Sequence, residues 1–167
     1  MRERKLRTEG GFTLVEMLCT VAVLLLVSAL MVVGVRLAVK TLKKSVMASE
    51  SRVLCSTLRE LVNDELRYSG TVNTANDGTI SFFSQNYGGE NAAFTTDAEG
   101  HVLLNGKKVL ADRAYPYAMR ASVMLTSYDS VTLTFEATVT VTDEEGNEMI
   151  STDFEVKQLN QPADSGT

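Results

Sequence analysis

An apolar run of 24 residues, FTLVEMLCTVAVLLLVSALMVVGV at residues 12–35, limits how this chain can fold more than any other segment. Glu16 is the one charged residue in the run. As an α-helix the run would measure about 36 Å, which is enough to cross a hydrocarbon core of roughly 30 Å with some tilt. The run therefore predicts a membrane-spanning helix over residues 12–35.

The segment before the run is short and basic, with four Lys and Arg against two Glu in residues 1–11. A secretory signal peptide also starts basic, but its apolar stretch is about 7–15 residues and ends at a small-residue cleavage site. A plain signal anchor is the other simple interpretation. Neither explains Glu16, because a carboxylate inside an apolar helix costs a few kcal/mol and needs a partner or a role. A free amine made by cutting the chain just before Phe12 would supply a nearby cation.

The segment GGFTLVEML at residues 10–18 resembles the prepilin cleavage and methylation motif of type IV pilins and type II secretion pseudopilins. In that family a glycine precedes the cut, a phenylalanine usually follows it, and a glutamate stands fifth in the mature chain. Gly11, Phe12 and Glu16 occupy those places here. The resemblance implies that a prepilin peptidase and methyltransferase removes residues 1–11 as a leader and methylates the new amine of Phe12. It also implies that Glu16 pairs with the N-terminal amine of a neighbouring subunit.

The segment that follows the run bears on topology. Four basic residues precede the run and four follow it, namely Arg36, Lys40, Lys43 and Lys44. The positive-inside rule therefore gives no clear orientation, and a cytoplasmic leader is implied by the resemblance alone. We interpret the second basic cluster as contacts with lipid head groups. Major pilins often carry a proline near the place of Val33, so the usual helix-breaking residue is absent here.

Apolar residues continue at helical spacing beyond residue 35, with polar residues on the other faces. This apolar stripe consists of Val46, Met47, Val53, Leu54, Leu58, Leu61, Val62 and Leu66. No proline interrupts residues 12–68, and Gly70 is placed as a C-terminal stop. The pattern predicts one long helix with a transmembrane half at 12–35 and an amphipathic half at 36–69.

From residue 71 the period of the pattern changes to two, which indicates strands. Strands are predicted at 79–84, 101–104, 107–110, 121–126, 130–142 and 149–156, with turns at 76–78 and 105–106. In the segment 130–142, alternate residues from Val131 and Leu133 to Val141 are expected on one inward face. The predicted fold is α+β and pilin-like, with the long helix packed on a small antiparallel sheet at 70–160 and a flexible tail at 161–167.

The residue inventory argues against an enzyme. His101 is the single histidine, and we expect it to be an exposed strand residue. No Cys-His pair, nucleophile motif or phosphate-binding glycine loop is present, and Cys19 and Cys55 form no disulfide framework or zinc spacing. No catalytic residue, metal site, cofactor or small-molecule substrate is therefore predicted.

Two further segments and the charge balance refine this expectation. The acidic turn at 143–148 offers the several oxygen ligands that calcium requires, but it does not match an EF-hand, and we interpret it as a solvated hairpin turn. The segment Tyr115-Pro116-Tyr117 is interpreted as a packed turn. The net charge is −5, and subtracting the +2 of residues 1–11 leaves −7 for the rest, which argues against nucleic acid as a partner.

The functional hypothesis is a minor pilin or pseudopilin that is cut, anchored in the cytoplasmic membrane and assembled with other subunits into a filament. Its sheet domain would lie outside the cytoplasm, and its partners would be the prepilin peptidase, other pilins and membrane lipids. The filament would serve a pilus, a type II secretion system or a DNA-uptake apparatus. The alternative is a membrane-anchored binding module outside the cytoplasm that joins no filament.

Overall fold

A computed structural model describes residues 12–75 and 78–159 of the chain. The predicted leader at 1–11 and the predicted tail at 161–167 lie outside these described residues, and so do Asn76 and Asp77 of one predicted turn. The chain divides into two compact units, Met1–Ser45 and Val46–Thr167. Helix α1 (Leu14–Arg67, 54 residues) contributes to both units.

The first unit consists, in its described part, of the N-terminal portion of α1 and the two residues before it. The helix is unbroken at Val33 and Gly34, in line with the absence of a proline. Every described residue from Phe12 to Ser45 is exposed. This part of the helix therefore buries none of its apolar surface within the unit.

The second unit begins with the C-terminal portion of α1, which packs one face on the sheets. The residues buried on this face are Ser51, Leu54, Cys55, Leu58, Val62 and Leu66. The predicted stripe is confirmed for its central members, but Val53 is 57% exposed. At about 100° per residue, Val53 lies roughly 140° from Leu58 and roughly 160° from Cys55, so it falls outside the buried face.

Three small antiparallel sheets follow the helix, in place of the single sheet of the sequence prediction. The first contains β1 (Val72–Thr74), β2 (Ile80–Ser84) and β3 (Gly89–Ala92). The second contains β4 (Phe94–Thr96), β5 (Val102–Leu104) and β6 (Lys107–Lys108). Two 3-10 turns, Asp112–Ala114 and Pro116–Ala118, lead to the third sheet of β7 (Arg120–Asp129), β8 (Thr134–Thr142) and β9 (Glu148–Lys157). The α+β, pilin-like arrangement is confirmed.

Aromatic contacts join the three sheets into one core. Phe82 of β2 is fully buried, and its ring centroid lies 5.8 Å from Phe94 of β4 and 6.3 Å from Phe135 of β8. Such tilted and edge-to-face pairs are favourable beyond the burial of their area. The inward face of β8 continues from Phe135 to Val141 at alternate positions, as predicted.

The beginning of β8 differs from the prediction, which placed residues 130–133 in the strand. Val131 is 88% exposed and Leu133 has a φ of 56°, so neither belongs to an inward strand face. The carboxylate of Asp129 accepts hydrogen bonds from the backbone N–H of Val131 and Thr132, at 2.8 and 3.4 Å, and from the Thr132 hydroxyl. These local bonds compete with a strand ladder and hold the segment in a turn.

Gln158 connects the end of β9 to the end of α1. Its side-chain amide nitrogen donates to the carbonyl oxygens of Ser69 (2.9 Å) and Gly70 (2.6 Å), and its Oε1 accepts from the Tyr128 hydroxyl at 2.8 Å. Its backbone N–H donates to Leu133 O, and the residue is 2% exposed. Chain emerging from a helix end carries carbonyls that need donors, and this amide supplies two of them.

We predict that Gln158→Leu destabilises the second unit. The substitution leaves the Ser69 and Gly70 carbonyls and the Tyr128 hydroxyl without these partners, and unmade buried hydrogen bonds cost about 1–3 kcal/mol. Urea unfolding of the detergent-solubilised protein, followed by circular dichroism, measures the loss. The control is Gln85→Leu at an exposed glutamine, where a change within about 0.5 kcal/mol is expected. Equal effects of the two variants would contradict the role of Gln158.

Gly100 lies where the turn between β4 and β5 meets β7. Its φ is +88°, and its carbonyl oxygen accepts a hydrogen bond from Ala121 N at 2.8 Å. A Cβ at this position would overlap the side chain of Arg120 and lie 3.0 Å from its Cα. Gly106 in the predicted hairpin turn also has a positive φ, +73°, but a Cβ there would meet nothing within 4 Å.

Comparing Gly100 with Gly106 separates the energetic cost of backbone strain from that of close packing. We predict that Gly106→Ala costs about 1 kcal/mol of unfolding free energy, because only the left-handed conformation is strained. Gly100→Ala has the same strain plus an overlap with Arg120 that begins at its Cβ, next to the backbone, so it should cost at least about 2 kcal/mol more. The same urea unfolding measures both variants, and similar losses would show that the approach to Arg120 is unimportant.

Candidate processing and assembly site

The N-terminal portion of α1 has the length and composition of a membrane-spanning helix. An 18-residue window within α1 reaches a mean hydropathy of 2.8, and none of that window is buried. Apolar side chains point outward all round the helix, as Leu14, Leu24 and Val33 show with exposures of 81%, 64% and 65%. A helix that is apolar on every face is suited to lipid or to packing against other apolar helices.

Hydroxyl groups within this apolar segment are satisfied by the helix itself. The Thr20 hydroxyl donates to Met17 O and the Ser28 hydroxyl donates to Leu24 O, both at 2.8 Å. In lipid, where water is absent, such bonds avoid the cost of an unpaired polar group. Between residues 12 and 35 the carboxylate of Glu16 is thus the one charged group.

Glu16 lies in the first turn of α1, three residues after the residue that caps the helix. The backbone N–H of Glu16 donates to the Thr13 hydroxyl oxygen at 3.3 Å. Thr13 and Glu16 therefore occupy the positions of a Thr-x-x-Glu capping box, which places a carboxylate near the positive end of the helix dipole. This role of Thr13 was not predicted, although the Thr-x-x-Glu spacing before an apolar run is present in the sequence.

On its C-terminal side, the carboxylate of Glu16 has no basic residue nearby along the chain. The next Lys or Arg is Arg36, twenty residues and about 30 Å further along a helix. Among residues 12–75 and 78–159 no ion pair involves Glu16. Phe12 lies four positions before Glu16 and is 74% exposed, while Gly11 lies outside the described residues. The structure thus places one predicted processing residue and the predicted assembly residue about one turn apart.

His101 was expected to be exposed, and this prediction is wrong. Its side chain is 13% exposed, its ring centroid lies 4.6 Å from that of Tyr115, and its Nδ1 lies 3.1 Å from Asp97 Oδ2. Desolvation raises the pKa of Asp97, but hydrogen bonds from the His101 backbone and ring outweigh it and leave that pKa below its usual value. His101 is a packed residue with a carboxylate partner.

Asp97, Glu99 and His101 each place one potential metal-ligating atom within 4.8 Å of the other two. The ammonium group of Lys108 already pairs with this cluster, since its Nζ lies 3.9 Å from Asp97 Oδ2. The same Nζ lies 2.6 Å from Oδ1 of the neighbouring Asp112. The hydrogen bond with Lys108 lowers the pKa of Asp112 and raises that of Lys108. The arrangement is a local ion-pair network.

The acidic turn between β8 and β9 uses its first carboxylate internally. Asp143 accepts hydrogen bonds from the backbone N–H of Glu145 and Asn147, at 3.0 and 2.8 Å, and from the Asn147 side chain. The side-chain bond from Asn147 lowers the pKa of Asp143, and the backbone donors add to this effect. Asp143 thus supports the turn itself.

The Tyr115-Pro116-Tyr117 segment was expected to form a packed turn. This holds for Tyr115, which is buried and accepts a hydrogen bond from Val102 N at 3.0 Å. It does not hold for Tyr117, which is 49% exposed with a φ of 58°. The segment is therefore packed on one side only.

Comparison with known proteins identifies the N-terminal segment. A family model described as "Prokaryotic N-terminal methylation motif" matches residues 6–32. No curated protein and no solved structure shows a significant match to the chain. The matched motif supports processing by a prepilin peptidase and assembly with other pilins, and it indicates a structural subunit. The long apolar helix is consistent with membrane anchoring. The chain thus carries the N-terminal methylation motif that is the signature of prepilin-type proteins, the type IV pilins and pseudopilins.

Proposed function

We propose that this protein is a minor pilin or pseudopilin that is cut between Gly11 and Phe12, methylated on the amine of Phe12 and assembled into a filament. The observation that carries the proposal is the methylation motif at residues 6–32, which runs directly into a helix with an exposed apolar surface. The sheet-bearing part lies outside the cytoplasm in this proposal. The filament serves a pilus, a type II secretion system or a DNA-uptake apparatus.

The chemistry of the N-terminus supports a role for Glu16 in setting register. Cleavage before Phe12 creates an amine at the start of a helix whose first turn holds a lone carboxylate. When apolar helices from several subunits pack together, an unpaired charge among them is expensive. A neighbour that docks with its amine against Glu16 relieves this cost, whereas a neighbour in another register does not.

The exposed apolar helix supports lateral association as the means of assembly. Between apolar helices in lipid, packing and interhelical polar contacts supply the attraction, because burial from water contributes nothing there. The internally bonded hydroxyls of Thr20 and Ser28 leave Glu16 as the strongest polar determinant of the segment. Specificity in assembly therefore rests on one side chain.

The alternative is a membrane-anchored binding module outside the cytoplasm. It shares the anchor with the pilin proposal but requires neither the new amine nor Glu16. It predicts a chain that is not cut before Phe12 and that stays outside filaments.

We predict that the mature chain begins at N-methylated Phe12, and only in cells that have the prepilin peptidase. Mass spectrometry of the purified N-terminus, with and without the peptidase gene, measures this directly. Gly11→Leu should block the cut because the resemblance places a glycine immediately before it, whereas the matched variant Gly10→Leu should still be cut. An intact Met1, or a cut elsewhere, would favour the anchored binding module.

We predict that Glu16→Ala lowers incorporation into filaments at least about tenfold, because removing one partner of a buried ion pair costs about 3–5 kcal/mol. The amount of chain in sheared filaments, relative to that in membranes, measures incorporation. Thr13→Ala is the control, because it removes the helix cap but keeps the carboxylate.

The second unit should resist protease equally in both variants, since neither position lies within it. Unchanged incorporation of Glu16→Ala would contradict the register mechanism. Equal losses for Thr13→Ala and Glu16→Ala would assign the effect to the helix start instead of the charge.

A further inference from the structure

The turn at residues 130–133 holds Val131 out in solvent. At 88% it is the most exposed large apolar side chain in the described part of the second unit. Asp129 accepts three hydrogen bonds that fix the turn, and the Leu133 carbonyl oxygen accepts another from Gln158 N at 2.8 Å. Leu133 also has the left-handed φ of 56°, a conformation that is costly for a residue with a Cβ. The turn thus keeps Val131 in one defined position, ready for contact.

Val131 belongs to an apolar surface at one end of the second unit. It lines this surface together with Leu133, Lys157 and Leu159. Leu159 is 59% exposed, and its backbone N–H donates to Arg67 O at 2.8 Å. The surface therefore lies beside the C-terminal end of α1. We call Val131, Leu133 and Leu159 the apolar tip.

A groove of about 220 Å³ lies further back along α1 in the same unit. The apolar side chains that line it are Val53, Leu54, Leu110, Ala114 and Pro116. We call this set the apolar groove. Val53 is 57% exposed, and it precedes Arg67 by 14 residues, which is about 21 Å along a helix. The apolar groove and the apolar tip therefore lie towards opposite ends of the α1 portion that packs on the sheets.

Charged side chains beside the two surfaces are complementary. Lys157 lies beside the apolar tip, and Asp129 begins its turn. Glu50 and Arg113 line the apolar groove. Within the described ranges, no ion pair involves Lys157, Glu50 or Arg113. Each surface thus carries one positive and one negative group, and a copy docked tip to groove can pair Lys157 with Glu50 and Asp129 with Arg113.

We infer that the apolar tip of one copy docks in the apolar groove of a second copy. Docking removes the apolar surface of Val131 and Val53 from water, and the fixed turn keeps the ordering cost low. The contact joins two different surfaces of the same chain, and such head-to-tail contacts build open helical filaments when the rotation does not close. The inference rests on the proposed function and names a contact between the second units of neighbouring subunits.

The contact is small, which suits subunits that other contacts already hold together. Three apolar side chains cover far less than the roughly 1,000 Å² of a stable interface between free proteins. In the proposed filament, the packed apolar helices keep the second units at a high effective concentration, so a weak contact is occupied. The tip and the groove therefore determine how neighbouring second units are placed, while the helices hold the subunits.

Cross-linking between two differently tagged full-length copies tests the contact in cells. One copy carries Ser130→Cys, next to Val131, and the other carries Thr57→Cys in the wall of the groove. Both positions are exposed. Cys19→Ser in both copies removes the exposed native thiol, and Cys55 is buried. A short water-soluble bismaleimide should join the two copies.

The matched control pairs Ser130→Cys with Gln85→Cys, which is also exposed. Gln85 precedes Asn86, whose side chain donates to Glu65 Oε1 at 2.6 Å, so it lies near the C-terminal end of α1. A tip-to-groove contact keeps this position away from the neighbour's tip, and little product is expected. Equal product from the two pairs would overturn the inference.

Substitutions test the apolar contact and the charge pairing separately. Val131→Asp in the first copy should lower the cross-linked fraction at least about tenfold, whereas Val131→Leu should preserve it. Lys157→Glu in the first copy should lower it about threefold, and Glu50→Lys in the second copy should restore it. Because Val131 is exposed, protease resistance of the second unit should be the same in both Val131 variants. A cross-link that is indifferent to Val131→Asp, or a charge loss that Glu50→Lys does not restore, would overturn the inference.

Shearing filaments from the same cells separates this inference from the proposed function. Filaments that contain the chain without the Ser130–Thr57 cross-link would overturn the contact and leave assembly standing. A cross-link without filaments would support the contact and overturn assembly. If the cross-link forms only after residues 160–167 are deleted, the chain's own C-terminal residues cover the tip and the inference is wrong.

Discussion

The rest of the structure depends on one constraint, which is that a single helix, α1, has an N-terminal portion with an exposed apolar surface and a C-terminal portion that packs on the sheets. The backbone of α1 satisfies its own hydrogen bonds, so a single helix can run from a segment suited to lipid into a segment packed on a folded domain, and side chains alone mark the change. Up to Ser45 every described residue is exposed, whereas Leu54, Leu58, Val62 and Leu66 of the C-terminal portion are buried against the sheets. That stripe and the inward residues of the sheets form one hydrophobic core.

The sequence predicted the elements whose pattern is long and regular. The helix, the face of β8 from Phe135 onward and the Asn105-Gly106 turn follow from periodicity and turn chemistry. Contacts that local patterns do not contain could not be predicted. Asp129 diverts residues 130–133 into a turn, and the packing of His101 on Tyr115 depends on two segments meeting. The division into three sheets likewise includes strands of three or four residues that show no alternation.

The candidate site was almost wholly visible in the sequence because its chemistry is local. A lone carboxylate in an apolar run is conspicuous, and Glu16 is the fifth residue after the place of the expected cut. The structure adds Thr13, whose hydroxyl begins the helix and fixes the first turn in which Glu16 lies.

The bonds between Gln158 and the end of α1 have a consequence for the order of events during synthesis. Ser69 and Gln158 are 89 residues apart in the chain. A ribosome that adds about 5–20 residues per second needs on the order of 5–20 s to cover that distance. The apolar segment therefore emerges, and is available to the membrane, several seconds before the second unit can close. For a membrane-anchored chain, insertion and domain folding are then separated in time, so the hydrophobic helix need not compete with the sheets for the same apolar surface.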